Sequence, residues 1–300
     1  GHLMRADGSP KMTMISNLTG AVINVVLDAL FVLVFHWGME GAALATIMGQ
    51  FASACIVLNY MCHFKTVALT RKHFIPNFKY IKDIVAIGMA SFFNQLAMML
   101  VQIVMNNSLK HYGALSVYGE SIPIACTGIV MKVNQIFFSV IIGIAQGSQL
   151  VESFNYGARN YERVKTGIRF NTIIGSSYTM IAWILVILFP KFWFSIFSDD
   201  LQMMEIGVDV LKMYFFGFVF MSFQFAGQST FQALGDAKHA IFFSLLRKAI
   251  IVVPLTLLLP TIGFGVNGVF LAEPISNILG GISCYITMRM TIYKELERKK

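Results

Sequence analysis

Apolar residues run along this chain in eight blocks, at roughly 12–35, 40–62, 80–109, 117–150, 163–189, 203–232, 238–259 and 265–292. A helix rises about 1.5 Å per residue, so a hydrocarbon core about 30 Å thick needs about 20 apolar residues. Every block reaches that length, and the longer ones leave room for tilt. The pattern predicts an all-α integral membrane protein of about eight transmembrane helices. The blocks are not uniformly apolar. In the third, Ser91, Gln95, Gln102 and Asn106 recur at helical spacing. In the fourth the same is true of Lys132, Gln135, Ser139, Gly143 and Gln146, and in the sixth of Tyr214, Gly217, Met221, Gln224, Gln228 and Gln232. Each set lies on one helical face. Such stripes either pack helices together through small residues and amides or converge on a wet cavity. As a group they are read here as a cavity, lined by Gln95, Gln102, Asn106, Lys132, Gln135, Gln146, Gln224 and Gln228.

The first block holds a costlier feature. Asn24 and Asp28 are one helical turn apart among apolar residues, so they share a face. An acid at that depth is rare and normally faces a protein interior or a water-filled cavity. Burial raises the pKa of a carboxyl, which suits a proton carrier, while oxygen ligands suit a hard cation such as Na⁺. The bland alternative is a hydrogen bond to Asn24 or to a neighbouring helix. Arg247, Lys248 and Glu273 are further charges inside blocks. An intramembrane Arg usually pairs with an acid or a carbonyl, so a structural or gating ion pair with Glu273 is expected. Glu120 and Glu152 stand near block ends and are expected to be solvated.

Composition fits this picture. Of 300 residues, 56% are hydrophobic and 13% charged, with mean hydropathy +0.68; a soluble domain carries about 25% charged residues. The net charge of +8 is spread unevenly. Taking alternate loops, one side collects seventeen of the 23 Lys and Arg, including Lys65, Arg71, Lys72, Arg159, Arg163 and Lys238. The other side has only Lys110 and Lys191, and Lys132, Lys212, Arg247 and Lys248 lie within blocks. The positive-inside rule then puts both termini in the cytoplasm. The basic excess reads as a topology signal and not as a nucleic-acid site. The four cysteines, Cys55, Cys62, Cys126 and Cys284, show no metal or redox spacing. No HExxH, GxSxG or GxxxxGK[ST] motif occurs, so an enzyme is not expected, and neither is a cofactor.

Two segments repeat without a gap. Gly8-Ser9-Pro10-Lys11 and Gly38-Met39-Glu40-Gly41 recur as Gly235-Asp236-Ala237-Lys238 and Gly265-Val266-Asn267-Gly268, at an offset of 227. Parallel repeats are a recurring plan of transporters. On this reading residues 1–64 are the last two helices of one lobe and 65–79 a basic cytoplasmic interlobe loop. Residues 80–293 are then a complete six-helix lobe, and 294–300 a cytoplasmic tail. By the offset, four further helices of the first lobe are expected upstream.

The motifs resemble the multidrug and toxic compound extrusion (MATE) family across the whole chain. They are Arg5-Ala6-Asp7-Gly8-Ser9-Pro10-Lys11, Asn24-Val25-Val26-Leu27-Asp28 and Gly38 to Thr46, then Gly143-Ile144-Ala145-Gln146-Gly147-Ser148-Gln149 and Phe154-Asn155-Tyr156-Gly157-Ala158-Arg159. Gln232-Ala233-Leu234-Gly235, Leu246-Arg247 and Val253-Pro254-Leu255 follow. The resemblance implies helices five to twelve of a twelve-helix fold in two lobes. It implies an antiporter of the plasma membrane that exports amphipathic or cationic drug-like molecules against H⁺ or Na⁺. It also implies that Asp28, Asn24 and Thr46 bind the coupling cation, with Na⁺ at Asp28 the sole metal. Asn277 departs from the family pattern, where many members have Asp. A lipid-linked oligosaccharide flippase of similar fold is the alternative, kept open by Lys132, Arg247 and Lys248.

Overall fold

The computed structural model describes residues 2–64, 78–116, 119 and 121–298. The described residues are almost wholly helical and contain no strand. The basic segment 65–77, Glu120, Lys299 and Lys300 lie outside them, as do the side chains of Lys79 and Ala90. The chain divides into two compact units, Gly1–Phe78 and Lys79–Lys300.

The first unit is a helix pair. After a short helix α1 (His2–Ala6), α2 (Pro10–Asp28) continues as wider π-helical turns over Ala29–Val34, and α3 (Gly38–Met61) returns beside it. Lipid is as apolar as Leu, so no hydrophobic force drives two helices together in a membrane, and small residues that allow close approach do the work. Ser16 Oγ donates to the Ser53 carbonyl at 3.0 Å, and Ser53 Oγ donates back to the Ser16 carbonyl at 2.8 Å. A Cβ on Gly20 would overlap Ser53 and the Gly49 carbonyl. The large side chains point outward instead: Leu18, Val22, Val25, Val26 and Leu33 are all exposed. At the end of the pair Trp37 stacks near Phe31 and Phe35, with centroids 5.2 and 5.5 Å away, an aromatic cluster of the kind found at membrane–water interfaces.

The second unit is a bundle. Long helices α4 (Phe78–Ala114), α5 (Ser121–Gly157) and α6 (Tyr161–Leu188) are followed by a short α7 (Pro190–Ser195). Helices α8 (Leu201–Phe215) and α9 (Phe218–Ala233) meet at a bend of 41°. Next come α10 (Ala237–Leu245), π-helical turns at Leu246–Val252 and α11 (Val253–Leu259). Pro254 removes one backbone donor and crowds the preceding turn, which fits a widened helix just before it. A reversal at Gly263 and Gly265, both at positive φ, leads into α12 (Gly265–Met288), and α13 (Lys294–Arg298) closes the chain. The main core gathers Val133, Phe137, Leu211, Phe215, Phe218 and Phe270 from α5, α8, α9 and α12.

Among the described residues five helical stretches are long and apolar enough to cross a membrane, or six with the bent pair. The expected seventh and eighth spans lie within one of these, Ala237–Arg298. The expected third span falls in α4.

Candidate functional site

The acid of the first unit ends α2. Asp28 is half-buried at the point where the α-helix gives way to π-helical turns, a local widening that often marks functional positions. Its Oδ1 is enclosed and has no hydrogen-bond partner, and Asp28 makes no hydrogen bond among the described residues. Buried carboxylate oxygens are normally satisfied. One helical turn earlier, Asn24 Nδ2 donates to Thr46 Oγ1 at 3.3 Å, and Thr46 in turn donates to the Ala42 carbonyl. The structure therefore joins Asn24 to Thr46 across α2 and α3 and leaves Asp28 unbonded to either. Asn24 and Thr46 line an open groove with Asn17, Gly20, Gly49, Gln50 and Ser53, whose lining does not include Asp28.

In the second unit a cavity of about 250 Å³ opens between α4, α5, α9 and the π-helical turns of Leu246–Val252. Its polar lining is Ser91, Asn94, Gln95, Gln146, Gln149, Gln228, Ser229, Gln232 and Arg247, set among Met98, Phe138, Ile142 and Phe225. Amides donate and accept at once, and Met and Phe supply adaptable apolar surface, so the cavity suits a small amphipathic molecule.

Of the amides expected there, Gln95, Gln146 and Gln228 line it. The others lie elsewhere, because a helical stripe drifts around a long helix and only its stretch facing the gap can contribute. Gln102 and Asn106 are exposed and bond to each other at 3.2 Å. Gln135 is exposed. Lys132 is exposed too, with its ammonium 5.6 Å from the Phe197 ring centroid. Gln224 is buried and donates to the Phe243 carbonyl at 3.3 Å, tying α9 to α10. Asn94, Gln149 and Arg247 were absent from the expected lining. The first two follow Ser91 and Gln146 by one helical step of three, so the periodicity could have found them.

A third group adjoins the cavity through Arg247. Lys248 Nζ lies 2.5 Å from Glu273 Oε1, and Arg247 Nη1 lies 3.4 Å from the same oxygen. Arg247 Nη1 also donates to Asn277 Oδ1 at 2.8 Å, and Ser276 Oγ donates to the Arg247 carbonyl at 2.8 Å. All these residues are buried. The cluster ties the helix carrying Leu246–Val252 to α12.

Glu152 corrects one expectation. It is fully buried, not solvated. Helix α5 runs on to Gly157, past the expected end of the block, and so carries Glu152 into the packing against α6 and α9. Ser148 donates to its Oε1 at 2.7 Å, while Oε2 is enclosed without a partner.

These features define a helical, multi-pass membrane protein with a polar cavity inside one bundle and an unpaired acid in a separate helix pair. The MatE family profile matches residues 90–258, more than half of the chain, and the chain belongs to that family. The multidrug export protein MepA of Staphylococcus aureus (strain MSSA476) is 26% identical over 290 residues, 96% of this chain and 61% of that protein. MepA of Staphylococcus haemolyticus (strain JCSC1435) is 24% identical over 97% of this chain and 63% of its own length. The chain therefore spans a little over three fifths of these relatives. The fold matches a MATE crystal structure in the straight conformation with TM-score 0.86 at 21% identity, over 95% of this chain and 63% of that one. It matches one in the bent conformation with TM-score 0.85 at 20% identity, over 98% and 64%.

Proposed function

We propose that this chain is part of a cation-coupled antiporter that exports amphipathic small molecules by alternating access. The observation that carries the reading is the enclosed, unpartnered Oδ1 of Asp28 in an otherwise apolar span. Such an oxygen gains a partner on binding H⁺ or Na⁺, so its loading has a differential free energy that can bias a two-state transporter. Asn24 and Thr46, bonded across the two helices one turn away, complete the proposed cation site. The amide-lined cavity of the second unit is the proposed substrate site, in keeping with MepA being a multidrug export protein. The uneven distribution of Lys and Arg supports a plasma-membrane protein with both termini of this chain in the cytoplasm.

A pyrophosphate-carrying lipid would call for several cations turned into one cavity. Among the described cations only Arg247 lines it, while Lys248 points to Glu273 and Lys132 lies exposed; this favours export over lipid flipping. The test is gradient-driven dye efflux from proteoliposomes, with the chain in the context of a full twelve-helix transporter. Asp28→Asn is expected to lower coupled efflux at least tenfold while leaving the folded yield intact. Efflux that stays tied to the gradient in that variant refutes the role of Asp28.

A further inference from the structure

The charge balance around the cavity is uneven. Among the described residues Glu273 is the one carboxylate in contact with both Arg247 and Lys248, and it sits closer to Lys248 (2.5 Å) than to Arg247 (3.4 Å). The shortest hydrogen bond from the Arg247 side chain goes to Asn277, a neutral amide, at 2.8 Å. Both bonds use Nη1, so Nη2 and Nε have no protein partner among the described residues. The guanidinium is buried, only 4% exposed, and Arg247 lines the cavity. No Asp or Glu lines that cavity among the described residues. A buried cation without a full counter-charge is costly, and a planar guanidinium with two donors in reserve matches an anionic oxygen group in a two-point contact.

We propose that the cavity of the second unit binds an anionic oxygen group, a carboxylate or phosphate, on Arg247, with the surrounding amides Asn94, Gln146, Gln149 and Gln228 holding the rest of the molecule. This deepens the export reading, on which the cavity is the substrate site, and assigns that subsite a charge opposite to the cationic compounds that the resemblance implies. A substrate carrying such a group supplies the missing half of the charge pair. Asn277 sets the preference. With a carboxylate in its place Arg247 would be neutralised from behind and the cavity would lose its anion affinity.

The test uses two rigid probes of nearly the same shape, benzoate and benzamidinium, which carry opposite charges at neutral pH. Their binding to the purified chain in phosphatidylcholine nanodiscs is measured by equilibrium dialysis with radiolabelled compounds. Benzoate is expected to bind saturably and at least tenfold more tightly than benzamidinium. Asn277→Asp keeps the side-chain shape and adds to the pairing of Arg247, so it is expected to fold; it should weaken benzoate at least fivefold and leave benzamidinium unchanged or tighter. Arg247→Lys, which keeps the charge, should retain a preference for benzoate, and Arg247→Gln should abolish it. Repeating the assay with phosphatidylglycerol in the discs separates two sources of the anion. A benzoate signal lost there marks an anionic lipid headgroup as the occupant, and a retained signal marks a soluble anion. Absence of saturable benzoate binding, equal affinity for the two probes, or a preference untouched by Asn277→Asp in protein that remains monodisperse overturns the proposal. The assay needs neither a gradient nor Asp28, so its failure and the failure of coupled efflux are separate results.

Discussion

Among the described residues Glu273 is the sole carboxylate in contact with Arg247 and Lys248, and that makes it the residue on which the interior of the second unit depends. Removing one member of a buried ion pair leaves the other charge uncompensated, at a cost of about 3–5 kcal/mol. Glu273→Gln is therefore expected to lower thermal unfolding in detergent by a large step, which circular dichroism would show. Glu152 offers the contrast. It is equally buried but faces no cation in contact, and its Oε2 has no partner. Glu152→Gln exchanges that oxygen for a neutral amide, and it should change stability by about 1 kcal/mol or less in either direction. If Glu152→Gln proves the more damaging of the two, the assignment of the ion cluster as the structural centre is wrong. The three charges of that cluster were legible in the sequence because charges inside apolar blocks must find partners. Glu152 was not, because its burial depends on how far α5 continues, and an apolar block marks the membrane-facing stretch of a helix and not its end.

At the scale of elements, the two helix pairs at the ends of the chain share their left-handed turn positions. Gly8 and Gly235 have φ of 74° and 79°, and Gly38 and Gly265 have 56° and 52°. His36 and Gly263, at the same offset of 227, are also both at positive φ, 55° and 108°. Turns that require the left-handed region keep their place in both copies, while the π-helical turns do not: residues 246–252 correspond to 19–25 within regular α2. The chemistry has diverged too. At this offset Arg247 corresponds to Gly20, Ser276 to Gly49 and Glu273 to Thr46. In the first pair these positions are small and the helices touch; in the second they hold the ion cluster. Gly20→Leu should accordingly separate α2 from α3, since the added side chain meets Ser53 and the Gly49 carbonyl. Overpacking of this kind costs about 1–3 kcal/mol or more. The expected result is reduced folded yield and earlier thermal unfolding, whereas Val22→Leu on the exposed face of α2 should be silent. Equal behaviour of the two variants would show that the close crossing is not what holds the pair.

At the scale of the whole molecule the testable quantity is sidedness. Cysteines placed at Arg159 and Lys238, in a chain whose own Cys55, Cys62, Cys126 and Cys284 are replaced by Ala, should react with a membrane-impermeant maleimide only from the cytoplasmic side. A cysteine at Lys191 should react only from outside. Labelling of Arg159 and Lys191 positions from one face would overturn the proposed topology.

The one-dimensional pattern determined the class of molecule: apolar blocks of spanning length, a repeat punctuated by glycine turns, and charges set deep within the blocks. These follow from local rules, since bilayer thickness, helical rise and backbone sterics act on neighbouring residues. Only the tertiary structure decided which polar faces meet. It brought Gln95, Gln146 and Gln228 to one cavity and left Gln102, Asn106, Lys132 and Gln135 outside it. It bonded Asn24 to Thr46 and left Asp28 without a partner. It turned Lys248 towards Glu273 and set Arg247 in the cavity lining. A stripe on a helix states a direction relative to its own axis alone, and what lies in that direction is set by the crossing and rotation of helices distant in the chain.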